Sequence, residues 1–180
     1  KNVQPQTKIL KKQKRLAGEK FSKIFSIKED DYVYFVKRLD YHFNDPVAIE
    51  EIFIPYNLFN KIEGLDLKVF GLYEIYEFYN IIPTRAHQTL EISKLNQSDA
   101  RSIGLNKDDS VILFSCTTYD EDDRVIEYAK IYSEINTNYS KYKNKPFAVH
   151  ASYGIDNRPY WYYFENHGYN EYNIYMRIEM

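Results

Sequence analysis

The chain has 180 residues, 44% of them hydrophobic and 17% aromatic, with a formal net charge of −2. That length suffices for one domain with a substantial core, and the near balance of charge excludes a whole-chain field that would steer it to nucleic acid or anionic lipid. Cys116 is the single cysteine, which excludes an internal disulfide and fits a reducing cytoplasm, and no apolar run approaches the ~18 residues of a membrane span.

The charge is unevenly spread. Residues 1–28 hold nine Lys or Arg against the single Glu19. The cluster Lys11-Lys12-Gln13-Lys14-Arg15 reads either as a solvated face or as a surface held near phosphates. Residues 7–11 predict a short strand, and Leu16, Phe21, Ile24 and Phe25 follow at near-helical spacing. Tyr32 to Tyr41 is rich in β-branched and aromatic residues and predicts a strand; Asn44-Asp45-Pro46 turns the chain into a second strand, Val47 to Pro55.

Phe59 to Ile62 predicts a helical turn, and Gly71 to Asn80 an amphipathic helix through Leu72, Tyr73, Ile75, Tyr76 and Tyr79. Thr84 to Ser93 predicts a strand, with Ser98 as the N-cap of a short helix ending at Gly104. Two further strands, Val111 to Tyr119 and Val125 to Tyr132, flank the acidic turn Asp120 to Asp123. The sum is an α+β arrangement, a largely antiparallel sheet with helices on at least one face. Beyond residue 140 the pattern weakens to two candidate strands, Tyr160 to Phe164 and Tyr172 to Ile178, in a stretch rich in tyrosine. An added hairpin, a dimer surface and an appended sequence all fit it.

Two hairpins follow one plan. Asp30, Asp31, Val33, Tyr41, Asp45 and Val47 recur as Asp108, Asp109, Val111, Tyr119, Asp123 and Val125, each 78 residues on, and Pro5 recurs as Pro83. The second strand of each hairpin carries a carboxylate among apolar residues, Glu50 and Glu127. Glu50 shares strand parity with Ile52 and Ile54, and Glu127 with Ala129 and Ile131. Buried carboxylates need partners. Those are either an internal arginine or a bound polar ligand, unless parity is off by one and Glu51 is the inward residue. Arg38 and Arg85 lie in strands and offer forks for a carboxylate or phosphate. His42, His87, His150 and His167 are scattered without ligand spacing, so no metal or cofactor is expected. A Gly-rich phosphate loop and a nucleophile elbow are both lacking.

Pro5-x-Thr7-Lys8-Ile9-Leu10, Arg38-Leu39, Pro46-Val47-Ala48-Ile49-Glu50, Leu72-Tyr73-Glu74, Thr84-Arg85-Ala86, Thr118-Tyr119-Asp120 and Ile126-Glu127-Tyr128 form an ordered series across residues 3–140. The series resembles the UTRA domain, the effector-binding domain of HutC-type regulators in the GntR family. The resemblance implies a chorismate-lyase-like fold, with a central antiparallel sheet flanked by helices, and a homodimer. It also implies a small-molecule effector, often a sugar phosphate, that alters operator affinity. DNA would be bound only by an N-terminal winged helix-turn-helix preceding Lys1. Residues 1–145 would be the UTRA-like domain and 146–180 a Tyr-rich extension.

By the same resemblance the ligand site would comprise Arg38, Glu50, Gly71, Arg85, Glu127 and Tyr132. Several positions depart from the family's pattern. Arg38-Leu39-Asp40 lacks a second arginine, Gly71 stands where a serine is usual, and Ile82 replaces a basic residue. The usual Tyr-Arg-Gly-Asp-Arg-Tyr ending becomes Tyr132-Ser133-Glu134-Ile135-Asn136-Thr137. A phosphate site thereby loses positive charge and donors, so a neutral sugar or amino compound suits Glu50 and Glu127 at least as well. Three functions remain: a cytoplasmic ligand sensor of a DNA-binding repressor without catalysis of its own, a lyase-like enzyme acting on an aromatic acid through Arg38 and Glu50, and a dimerisation module with a decayed pocket.

Overall fold

The computed structural model describes residues 6–42, 45–65 and 72–134, together with three strands at 147–151, 160–166 and 172–178. The chain divides into two compact units, Lys1–Glu134 and Ile135–Met180. In chain order the first unit runs β1 (Gln6–Leu16), α1 (Gly18–Phe25), β2 (Tyr32–His42) and β3 (Asp45–Pro55). A 3-10 turn (Ile62–Gly64) and α2 (Leu72–Phe78) lead to β4 (Pro83–Lys94), α3 (Gln97–Ser102), β5 (Ser110–Asp120) and β6 (Val125–Glu134). The six strands form one antiparallel sheet in the order β1-β2-β3-β6-β5-β4. In the second unit β7 (Phe147–Ala151), β8 (Tyr160–Asn166) and β9 (Tyr172–Ile178) pair antiparallel in chain order.

The sheet is the predicted duplication made visible. Strand, helix, strand, strand occurs twice, and the halves join where β3 pairs with β6. The recurring aspartates have a local task. Asp31 accepts from the backbone N–H of Lys28 at 2.8 Å, and Asp109 accepts from that of Asn106 at 2.7 Å, so each closes the same turn before its strand. One turn earlier, Ile27 N–H donates to the Ser22 carbonyl and Leu105 N–H to that of Ala100, equivalent bonds at helix C-termini. Ser26 (φ 53°) and Gly104 (φ 76°) hold the matching left-handed positions. Val33 and Val111 are buried under α1 and α3 respectively.

Strand pleat sorts the core onto two faces. On one, α1 covers Val33, Phe35 and Phe53 with Ala17, Phe21 and Phe25, while α3 and its flanks cover Leu39, Ile49 and Val111 with Leu95, Ala100 and Ile103. On the other, Tyr34, Val36, Ile52, Ile54 and Ala129 pack beneath Phe59, Ile62, Ile75 and Tyr76 of the segment linking the halves. Each fully buried isoleucine contributes roughly 1.5–3 kcal/mol.

Two local expectations are corrected. The first strand does not stop at residue 11; β1 pairs with β2 through Leu16↔Tyr32, which leaves Leu16 in a strand and 54% exposed. Ladder pairing to the long β2 overrides the helical spacing of a basic segment. At α3 the N-cap is Asn96, not Ser98: its side chain accepts from Asp99 N–H at 3.0 Å.

Candidate functional site

Arg38 and Glu50 are direct cross-strand partners, and Arg38 Nε donates to the Glu50 carboxylate. Glu50 is 2% exposed and stands on the face of Ile52 and Ile54, as its parity predicts; Glu51 points to the opposite face, where it meets Lys37 at 3.4 Å. Across the sheet, Glu127 is 8% exposed and pairs in register with Thr118. It accepts from the Tyr76 hydroxyl of α2 and from Thr118 Oγ1 at 3.4 Å. Asp40 adds a third carboxylate 3.6 Å from Arg38 Nε and accepts from Thr7 Oγ1 at 3.1 Å.

Both glutamates therefore find partners within the chain, and among the described residues no buried side-chain polar atom lacks a hydrogen bond. Their charges are not balanced. One guanidinium serves Glu50, Glu127 and Asp40. Burial pushes the Glu50 carboxyl up to about 7 against the pull of Arg38, with the charges of Asp40 and Glu127 adding to the rise. Burial also raises Glu127, opposed by the hydrogen bond from Tyr76 and the charge of Arg38. Cys116, beside Thr118, is raised to about 11 by burial and the nearby Glu127, which makes it a packed thiol and not a nucleophile. Among the described residues no group of three His, Cys, Asp or Glu is placed to hold a metal.

The cluster breaks the duplication that frames it. Arg38 and Cys116 are 78 apart and occupy equivalent strand positions, yet Arg38 pairs with Glu50 and Cys116 with Ala129. Asp40 and Thr118 are likewise equivalent, and they pair with Ala48 and Glu127. The expectation that both hairpins end in a carboxylate on one plan is thus corrected. Each half supplies its acid at a rung where the other half has alanine, because the step from Thr118 to Glu127 is one residue longer than that from Asp40 to Ala48.

Two other sequence candidates lie elsewhere. Tyr132 pairs with Ile49 and Leu113 and packs half-buried on the α3 face, since it has the parity of Tyr128 and Lys130 and not that of Glu127. Arg85 is at the surface: its Nε donates to Asp123 at 3.1 Å and its guanidinium stacks 3.6 Å over the Tyr119 ring. Gly71 lies outside the described residues. The sequence does not mark Tyr76 as a site residue: its helical spacing places it on a core face, and nothing local marks its hydroxyl as a partner for a glutamate 51 positions away.

The chain is thus an α+β sheet built from a repeated strand–helix–strand–strand unit, with a carboxylate–arginine cluster on one face. The model of the UTRA domain family matches residues 1–136, and the chain belongs to that family. Over 86 residues, 47% of the chain, it is 35% identical to the HTH-type transcriptional repressor NagR of Bacillus subtilis; the match spans 35% of that repressor's length. The fold is similar to the effector domain of PhnF from Mycobacterium smegmatis, with a TM-score of 0.70 at 16% identity, covering 74% of this chain and 83% of that one. It is also similar to the C-terminal domain of the histidine utilization repressor from Pseudomonas syringae pv. tomato, with a TM-score of 0.64 at 13% identity, covering 73% and 92%. NagR and the histidine utilization repressor are named as repressors. Among the described residues no helix is long and apolar enough to cross a membrane.

Proposed function

We propose that this chain is the ligand-sensing domain of a cytoplasmic, dimeric transcriptional repressor. A small metabolite bearing hydroxyls or an amine binds over Arg38, Glu50 and Glu127. DNA is contacted by a winged-helix module joined on the N-terminal side. The observation that carries this reading is the excess of acid over base in the cluster, Arg38 alone beside the buried Glu50 and Glu127 and the partly exposed Asp40. Such a site attracts donors and cations and repels a phosphate dianion, because like charges at low dielectric interact strongly.

The residues suggest how binding is felt. Tyr76 belongs to α2, in the segment that connects the two halves, and its hydroxyl occupies Glu127. A ligand ammonium or hydroxyl that takes Glu127 exchanges with Tyr76 and shifts the position of α2 relative to the sheet. A coupling of ~1–3 kcal/mol between such states changes operator affinity five- to 150-fold.

Isothermal titration of the chain with an amino sugar, the parent neutral sugar and the corresponding sugar phosphate tests this. Submillimolar binding of the first or second is expected, lost in Glu50→Gln and in Arg38→Ala and retained in Arg85→Ala. Submillimolar binding of the phosphate ester, abolished by Arg38→Ala, overturns the ligand class.

A further inference from the structure

Strands β1 and β4 are counterparts in the duplicated unit, and each is an outer strand of the six-stranded sheet. Their ladders superpose at an offset of 78 residues. Lys11, Lys12, Lys14 and Arg15 pair with Lys37, Val36, Tyr34 and Val33, while Thr89, Leu90, Ile92 and Ser93 pair with Ser115, Phe114, Ile112 and Val111. Four cations of β1 thus stand where its counterpart has four uncharged residues, so neither the strand's place in the sheet nor its position at an edge demands them. At Lys11 the charge works against the fold. Its rung partner is Lys37, whose ammonium meets Asp99 at 2.5 Å and Glu51 at 3.4 Å, and like charges directly opposite are destabilising. With Lys8, β1 carries five exposed cations and no acid. Among the described residues none of the five forms an ion pair. Aromatic rings hold two of them: the Lys14 ammonium lies 3.6 Å from the Tyr56 ring centroid and 4.6 Å from that of Tyr32, and the Arg15 guanidinium 5.5 Å from that of Phe21.

We infer that the β1 edge is a surface of this domain for the phosphate backbone of duplex DNA, which it contacts without reading bases. The cations form a row. From Lys8 to Arg15 it spans about 23 Å at the rise of a strand, and because β1 is outermost its long side chains reach past the edge from both faces. A duplex offers a matching line of charge, one phosphate per ~1.7 Å of axis. Membrane surfaces are met by cations beside a continuous apolar face, whereas here Leu10 and Leu16 are the exposed large apolar side chains among five cations. Single strands are bound by stacking bases on free aromatic faces, and the rings beside this row are covered by Lys14 and Arg15. The rest of the chain is acidic, but charges more than a Debye length of ~10 Å away are largely screened at 0.1 M salt. No residue of the Arg38–Glu50 cluster belongs to this surface, and the contact needs no attached DNA-binding module. Its failure therefore leaves the sensor reading untouched.

Fluorescence anisotropy of a labelled duplex of about 20 base pairs and arbitrary sequence, titrated with the full chain from about 50 mM salt upward, tests it. Submillimolar binding independent of sequence is expected, with log K falling against log salt at a slope of about −4 for five cations. The Lys11→Gln/Lys12→Gln/Lys14→Gln variant, its fold confirmed by circular dichroism, binds about ten-fold or more weakly and with a slope shallower by about 3. Lys94→Gln, on the counterpart strand, changes neither. Phosphatidylserine–phosphatidylcholine vesicles of equal total charge leave the chain in the supernatant. Absence of duplex binding, a triple variant with unchanged affinity and slope, loss of binding in Lys94→Gln, or sedimentation with the vesicles each overturns the assignment.

Discussion

Arg38 and Glu50 face each other on one rung of the β2–β3 hairpin, and the guanidinium Nε donates to the carboxylate in a site where Glu50 is almost wholly removed from water. The pair makes the buried acid tolerable. It does not neutralise the cluster, since Asp40 and Glu127 draw on the same cation.

Removing that cation exposes the imbalance. Arg38→Ala is expected to cost about 3–5 kcal/mol, the usual penalty for leaving one member of a buried pair without its partner. Arg38→Lys, which keeps the charge without the planar fork, falls in between. Urea denaturation of the three proteins checks this; equal midpoints would mean that Glu50 is rehydrated or neutral without Arg38.

The same burial gives stability a pH dependence. The folded Glu50 carboxyl titrates at about 7, above its ordinary 4.5, so between those values the folded chain holds a proton that the unfolded chain releases. The contribution is fully present at lower pH and is lost as pH rises through about 7, amounting to roughly 3 kcal/mol at most. Glu127 is raised too, and acts with the same sign. The melting temperature should therefore fall from pH 5 to pH 8, and Glu50→Gln should flatten that fall. An unchanged slope in the variant would assign the titration to another group.

Tyr76 joins the linking helix to the sheet through one hydroxyl. Tyr76→Phe keeps the aromatic contact with Phe59 and deletes the hydrogen bond to Glu127. A bond to a charged acceptor contributes about 1.5–3 kcal/mol, which is the loss expected in equilibrium unfolding. If Tyr76 reports ligand binding, the variant also alters the affinity measured by titration. A variant as stable as wild type would show that α2 is held by packing alone.

The N-cap of α3 separates two candidates directly. Asn96→Ala removes the bond to Asp99 N–H and a second from Asn96 Nδ2 to Asp99 Oδ2 at 2.6 Å, loosening the carboxylate that Lys37 grips at 2.5 Å. A loss of about 1 kcal/mol is expected, with Ser98→Ala close to neutral. Chemical denaturation in which Ser98→Ala is the more costly change would reverse the cap assignment.

Much of the scaffold was legible because its signals are local. Alternating apolar residues give β2, β3, β5 and β6 within a few residues of their observed ends. The repeated Asp30-Asp31 and Asp108-Asp109 pairs mark turns whose second aspartate binds the backbone three residues earlier. Parity put Glu50 and Glu127 on the apolar face correctly. Other signals failed for identifiable reasons. Lys11 to Arg15 belong to β1 because β2 is there to pair with, a fact no window of that segment contains. Arg85 and Tyr132, grouped with the glutamates by resemblance, stand apart from them: Arg85 lies on a strand with no buried residue, and Tyr132 on the opposite face, since one residue of parity moves a side chain across the sheet.

What the amino-acid order settles here is a doubled strand–helix–strand–strand unit with its carboxylates turned inward, because turns, caps and pleat depend on neighbours a few positions away. The long-range fold alone decides that Glu50 faces Arg38, that Glu127 meets a tyrosine from the linking helix, and that alanines stand at the mirrored rungs. One additional residue in the second hairpin shifts its register, and register is a property of two strands together, invisible in either alone.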